Sequence, residues 1–566
     1  MRQPRLLAIS LSTSVLLGLS ACGGGGSSDA SAPATTNTTT FSGTAATGAA
    51  MSGAAISISC MKGTGSATTA ANGSYSANLT DITLPCALKA TSADGNTVLY
   101  SLTSPSVTAS TNQTANITPL TQLLVAKLAG TDPASFFANL NTAASSVTAA
   151  NVSSAQAAVL DILSNAGVNV SNVGDLLVGA LVPATSSASG NAYDVALDAL
   201  AAALVKSGTS LKELATAVAS SDATPASIAT QLAPAASTCA GLKSGQYHAL
   251  DKSLPTITEA AQLVTVDASK LTIALNSGTV ALTDTGNCHF TSSVADFYFA
   301  KSGVGVAVPM DNKAPVVLVP AQKTAVSEFA GTWNILWYGN NDVNSSTQGV
   351  GYALQTRNAG GAVTYGADCA ALDACVPWID GINDQDWTDG NGGSHHGRDT
   401  VIAGDASGTW WLDGYGTRLF PFKNGEGKLV VFVLGKNSDS NGLGAMAKQS
   451  ATSLPTVNQV EKFWDFTVVG GAVNGTPADT TMTIQSVDTA TNSFTRKRGS
   501  DGRVDGFTIN KPRDGLRYRP AGSSVLNDGV TTVNYRAAIV LPLGIGISVS
   551  GAPDGRDSLS ISVTHP

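Results

Sequence analysis

Charge is what this chain has least of: Asp, Glu, Lys and Arg make up 12% of its 566 residues, against the roughly 25% usual in soluble domains. Aromatic residues reach only 6%, and there are five His. The net charge of −8 leaves no basic surplus to meet a phosphate backbone, which argues against a nucleic-acid partner. Beyond the first twenty-odd residues no apolar run reaches the ~18–20 that a membrane-spanning helix needs. No CxxC pair, P-loop, HExxH, dinucleotide fingerprint or Gly-x-Ser-x-Gly elbow occurs, so the common redox, nucleotide, zinc and serine-hydrolase chemistries have no local signature. An enzyme is therefore not the expected reading.

The missing charge is replaced by Ala, Ser, Thr and Gly, 58 of the last. At the N-terminus Arg2 and Arg5 precede a short apolar stretch, residues 6–19, and then Leu19-Ser20-Ala21-Cys22. This order has the form of a signal peptide, and it resembles bacterial lipoprotein signal peptides with their lipobox. The resemblance implies cleavage after residue 21 and a diacylglycerol thioether on Cys22, since the thiol is the nucleophile that the reaction needs. The alternative is an ordinary secretory signal. Gly23 rather than Asp after the Cys implies, by the same resemblance, the outer membrane. Residues 22–40, rich in Gly, Ser, Thr and Ala, read as a flexible tether.

With Cys22 lipidated, six cysteines remain for an oxidising compartment. Nearest-neighbour pairing gives Cys60–Cys86, Cys239–Cys288 and Cys369–Cys375, one bridge in each of three β-rich stretches.

The chain reads as multi-domain and mainly β. Residues 41–117 alternate at period two, as in Ile56-Ser57-Ile58, with a hairpin signal at Asn72-Gly73. Gly43-Thr44, Met51-Ser52-Gly53-Ala54-Ala55 and Asn72-Gly73-Ser74-Tyr75 resemble the carboxypeptidase-regulatory-like family, which implies a small transthyretin-like β-sandwich. Residues 118–235 turn to helical spacing. Thr118-Pro119 and Ser210 with Glu213 are start signals, and residues 191–206 form an Ala-rich helix ended by Gly208. They are expected to make a helical spacer. Residues 236–322 read as a β meander with strands over 263–275, 280–291 and 297–308. Residues 323–566 read as one C-terminal antiparallel barrel or sandwich. Its opening Gly331-Thr332-Trp333 is similar to the Gly-x-Trp start of lipocalin-like barrels, which implies a Trp plugging the barrel floor.

All seven Trp lie between 333 and 464. If the segment is extended, Trp410 sides with Leu412 on an apolar face, and Trp411 sides with Asp413 and Tyr415 on an amphipathic one. Rings flanked by acceptors suit glycan stacking; a half-buried strand accounts for the same pattern. Trp387 lies within a Gly-rich loop carrying Asp384, Asp386, Asp389, His395 and His396. Those side chains are candidate ligands for calcium or another divalent metal, although the spacing misses the EF-hand order and no cofactor is expected. A basic stretch of Arg496, Lys497, Arg498, Arg503, Lys511, Arg513, Arg517 and Arg519 is interleaved with Asp501, Asp505 and Asp514. It reads as a solvated strand pair, with anionic envelope components as the other candidate partner.

The expectation is an envelope-anchored, non-enzymatic binding or adhesion lipoprotein, held to the membrane by its lipid and recognising a glycan or envelope component through the aromatic face. The alternatives are a lipocalin-like carrier of a small apolar ligand, and a hydrolase built on the 384–396 loop.

Overall fold

The computed structural model describes residues 37–105, 112–184, 188–340, 349–369, 374–377, 386–388, 394–396, 402–403, 408–413, 417–436, 441–553 and 557–565. Cys22 and residues 22–36 of the expected tether lie outside them. Strands dominate, in several sheets.

The N-terminal unit is a β-sandwich. Thr38–Thr44 pairs with Ser74–Thr80 and Asn112–Thr114, and the facing sheet runs Thr64–Thr68, Ala55–Lys62, Thr83–Thr91, Val98–Leu102. Period-two alternation sends Ile56, Ile58 and Cys60 from one sheet, and Tyr75, Ala77 and Leu79 from the other, into one core. Cys60 and Cys86 are directly opposed and disulfide-bonded. The first strand begins at Thr38, so Thr38, Thr39 and Thr40 belong to the sandwich and not to the tether. Asn72-Gly73 does form a tight turn, with Gly73 at φ 78°. However, the strands on either side of that turn enter opposite sheets, which corrects the hairpin expected there.

The helices start and stop where the capping signals lie. Thr118 caps Pro119–Ala129, and Ser210 with Glu213 forms the capping box of Leu211–Ala219. Ala192–Ser207 ends on Gly208 at φ 63°, where a Cβ would come within 2.9 Å of Ala240. Leu123, Leu124, Val159 and Leu197 share one buried cluster with Ala87 and Leu102 of the sandwich. The helical region is thus seated on the sandwich rather than strung out as a spacer.

Three antiparallel meanders follow. In the first, successive strands from Gly245–Leu250 to Gly278–Ala281 and from Thr283–Gly286 to Val316–Pro320 pair with one another, and Val316–Pro320 returns to pair with Gly245–Leu250. Gly278–Ala281 and Thr283–Gly286 are separated only by Leu282 and pair with opposite neighbours, so together they act as one interrupted strand that completes the ring. The strands expected over 263–275, 280–291 and 297–308 are hairpins, broken near Leu271, Asn287 and Gly303, each at positive φ. Tyr247, Val266, Phe290, Phe297, Phe299 and Leu318 pack inside.

The second meander runs from Gly331–Asn340 to Asn441–Lys448, which pair with each other. Trp333 is fully buried among Phe329, Val431, Val433 and Met446, and its Nε1 donates to the Phe329 carbonyl at 2.8 Å. Lys448 lies over its ring.

In the third, Val460–Val469 pairs with Ala478–Asp488 on one side and with Leu559–His565 on the other, closing the ring. The single domain expected over 323–566 is therefore two barrels. The polar linker between them, residues 449–459, carries no composition change to mark the boundary. The outer faces of all three barrels meet in one apolar core that includes Val306, Val317, Leu336, Phe432, Ile547 and Ile561.

Candidate functional site

The third barrel differs from the other two in what its strands turn inward. In Leu559–His565 and Ile547–Gly551, the residues Leu559, Ile561, Val563, Ile547 and Val549 face the shared core between barrels. Alternation then directs Ser548, Ser550, Ser560 and Ser562 into the ring. On the facing strands Phe494, Arg496 and Arg498 share one parity, Asp505, Phe507 and Ile509 another, and Arg517 a third with Arg519. The register opposes Arg496 to Asp505, Phe494 to Phe507 and Ile509 to Arg517. A guanidinium wall thus faces a hydroxyl wall. The arginines and serines are half-buried.

The arginines fall into two sets. In the first, Arg503 Nη2 lies 2.9 Å from Asp505 Oδ2, and Arg519 Nη1 lies 3.6 Å from the same oxygen. Arg498 meets Asp501 at 3.6 Å. In the second set, Arg496 lies over the Phe507 ring at 4.5 Å and Arg517 over Phe494 at 5.8 Å, and the two rings are themselves stacked. Neither makes an ion pair among the described residues, and the Nε of all five arginines is buried without a hydrogen-bond partner. Burial pulls the Arg496 pKa down to about 10 against the opposing pull of Asp505, and burial lowers those of Arg517 and Arg519 as well. It pushes the Asp465 carboxyl up, even though Ser562 Oγ donates to it at 3.0 Å. Asp505 is fully buried, with one oxygen unpartnered.

The solvated strand pair expected over 496–519 is therefore overturned. Arg517 lies over the Phe494 ring. Parity groups Arg496 and Arg498 with Phe494 on one face of the strand, but which face lies inside is decided by how the barrel closes.

The other expected site residues are placed differently. Trp411–Leu412 pairs with Ile402–Ala403 and with Arg418–Lys423. Trp411 packs edge-on against Phe329 at 6.2 Å, its Nε1 is buried, and Asp413 is 7% exposed, accepting from the Thr417 amide. The open amphipathic face is corrected to a half-buried lining of the second barrel. Trp410 is covered by Arg418 at 4.2 Å. Asp384, Asp389 and Tyr415 lie outside the described residues. Backbone pairing puts Asp386 opposite His396 and Trp387 opposite His395 in a short hairpin. Among the described residues no group of three or more His, Cys, Asp or Glu is placed to hold a metal. Cys239–Cys288 ties the strand Cys239–Lys243, paired with Ala235–Ala236, to the first barrel, and Cys369–Cys375 lies within the second.

Two further spaces bear on ligands. An open cleft of about 290 Å³ lies where the helices meet the barrels, lined in part by Glu213, Lys243, Lys301 and Lys423. Its cations are answered from within: Lys301 by Glu213, Lys423 by Glu328, and Lys243 by the Gln231 carbonyl. An apolar void of about 30 Å³ between the barrels holds no more than a water or two.

No family model matches the chain, and no curated protein matches it. A solved protein of unknown function from the DUF3598 family of Nostoc punctiforme is similar at 13% identity, over 43% of this chain and 99% of that one, with a TM-score of 0.14. At that score the likeness carries no argument.

Proposed function

We propose that the chain is an envelope-anchored, non-enzymatic binding lipoprotein that takes a small polar ligand into its third barrel. One observation carries this reading. The third ring encloses half-buried arginines whose Nε atoms have no partner, together with four serines, whereas the first encloses apolar side chains and the buried Arg357 and Lys423 of the second have polar partners. Buried polar groups without partners are costly, so an interior kept in this state is suited to a ligand that completes its hydrogen bonds. The polarity also favours a polar ligand over the small apolar one, and the inward packing of Trp411 withdraws the main support for recognition by an aromatic surface. The lipobox supports the address.

Ser550→Trp tests the site. The added ring fills the interior, so a small molecule that co-purifies with the parent and is released on denaturation should be lost from the variant. Recovery of the same molecule in equal amount from Ser550→Trp overturns the barrel as the binding site.

A further inference from the structure

The two sets of arginines inside the third barrel are unequal, and the inequality points to a ligand class. Arg498, Arg503 and Arg519 are held by Asp501 and Asp505. Arg496 and Arg517 are not held. Arg496 rests on the Phe507 ring and Arg517 on the Phe494 ring, the two rings stacking on each other at 5.5 Å, and the charge of Arg517 disfavours that of Arg496. Glu461 attracts both and Asp465 attracts Arg496, yet neither carboxylate reaches ion-pair distance of either guanidinium among the described residues.

Around this space five guanidinium groups meet the carboxylates of Glu461, Asp465, Asp501 and Asp505. Asp465 is biased towards its protonated form by burial, which widens the positive excess. Two guanidinium groups that repel each other in a poorly solvated place are unfavourable unless an anion offsets them. Their planar forks match the oxygens of a carboxylate or phosphate, which can accept from both at once. Across the ring, Ser548, Ser550, Ser560 and Ser562 offer short side chains that leave room and hydroxyls that can donate or accept.

We infer that Arg496 and Arg517 form an anion clamp, and that the ligand of the third barrel is a small polar organic acid whose carboxylate or phosphate bridges the two guanidinium groups. The inference rests on the binding reading above and adds the ligand's charge and the residues that read it. The Phe494–Phe507 stack holds the two forks in place, and the serine wall meets the polar body of the ligand.

The test titrates the full chain with D-glucuronate and with glucose 6-phosphate, using glucose as the neutral control and calorimetry as the readout. Either or both anions should bind and glucose should not; whichever anion binds identifies the oxyanion as carboxylate or phosphate. Arg496→Gln and Arg517→Gln should each weaken binding at least tenfold, the scale of a lost charge-assisted hydrogen bond. Arg498→Gln, which loses a partner other than the ligand, should change it less than threefold. Should a glutamine variant fail to fold, Arg517→Lys retains the charge without the fork and should weaken binding several-fold. Failure of both anions to bind overturns the inference, as does equal binding of glucose. Affinity unchanged in both glutamine variants but abolished in Ser550→Trp removes the clamp and leaves the barrel as the site. Binding that persists in Ser550→Trp removes the barrel reading itself.

Discussion

At the scale of single residues, the second barrel shows how much a neighbour's ring matters. Trp333 and Trp411 both contribute to the cluster around Phe329, but Trp333 is fully buried and Trp411 half-buried. Trp333→Ala should cost ~3–5 kcal/mol, because the cavity left behind adds to the lost transfer energy. Trp411→Ala should cost about 1–2 kcal/mol, a partly covered ring with one edge-to-face partner. Urea unfolding of the two variants checks the ranking; a Trp411→Ala midpoint equal to that of the parent would return this ring to the open surface. The burial of Trp333 was legible from Gly331-Thr332-Trp333 and from its shared phase with Ile335. The environment of Trp411 was not, because period-two alternation orders side chains into two faces without saying which face a barrel closes over.

Among elements, the helix ends are where sequence and structure agree most closely and where one buried charge is held. Thr118, Ser210 and Gly208 act as local stop and start signals because each satisfies or avoids a backbone group within a few residues of itself. Lys243, 4% exposed on the strand Cys239–Lys243, sends its ammonium to the Gln231 carbonyl, in the helix Pro225–Leu232, and to that of Ser207, the last residue of Ala192–Ser207. Burial lowers its pKa to about 8.

Between pH 8 and the unfolded value near 10.5, the unfolded chain binds more protons at this site than the folded one, so stability rises with pH across that window. Lys243→Met removes the titrating group. The stability of the parent minus that of Lys243→Met should therefore increase from pH 8 to pH 10, measured by urea unfolding. A difference that stays flat or falls would mean that the ammonium remains charged in the fold throughout that range.

For the whole molecule, the three barrels share one apolar core, and the helices rest on the sandwich. This arrangement bears on the proposed anchor. If Cys22 carries the lipid, Cys22→Ser should incorporate no tagged fatty acid, since a hydroxyl does not replace the thiol in thioether formation. Label incorporated as strongly as in the parent would end the lipoprotein reading. The first described strand begins at Thr38, sixteen residues after Cys22 in the sequence. Several acyl chains at ~0.8 kcal/mol per buried CH₂ would make the attachment effectively permanent.

By itself the sequence determined whatever depends on neighbours along the chain. The capping signals, the Ala-rich helices, the β-rich character and the three disulfides between nearest cysteines were all readable, because their partners are neighbours along the chain. Tertiary structure decided which strands close into rings, that residues 323–566 make two barrels and not one, and which side of each strand lies inside. Arg496, Arg498, Arg517 and Arg519 show the consequence. In a single strand they look like a solvated edge, since charge beside Asp and Gly is ordinarily exposed. They become an interior wall only because the opposite faces of the strands closing their ring, at Ile547, Val549, Ile561 and Val563, are taken up by packing against two neighbouring barrels. Those contacts span hundreds of residues, and no local pattern encodes them.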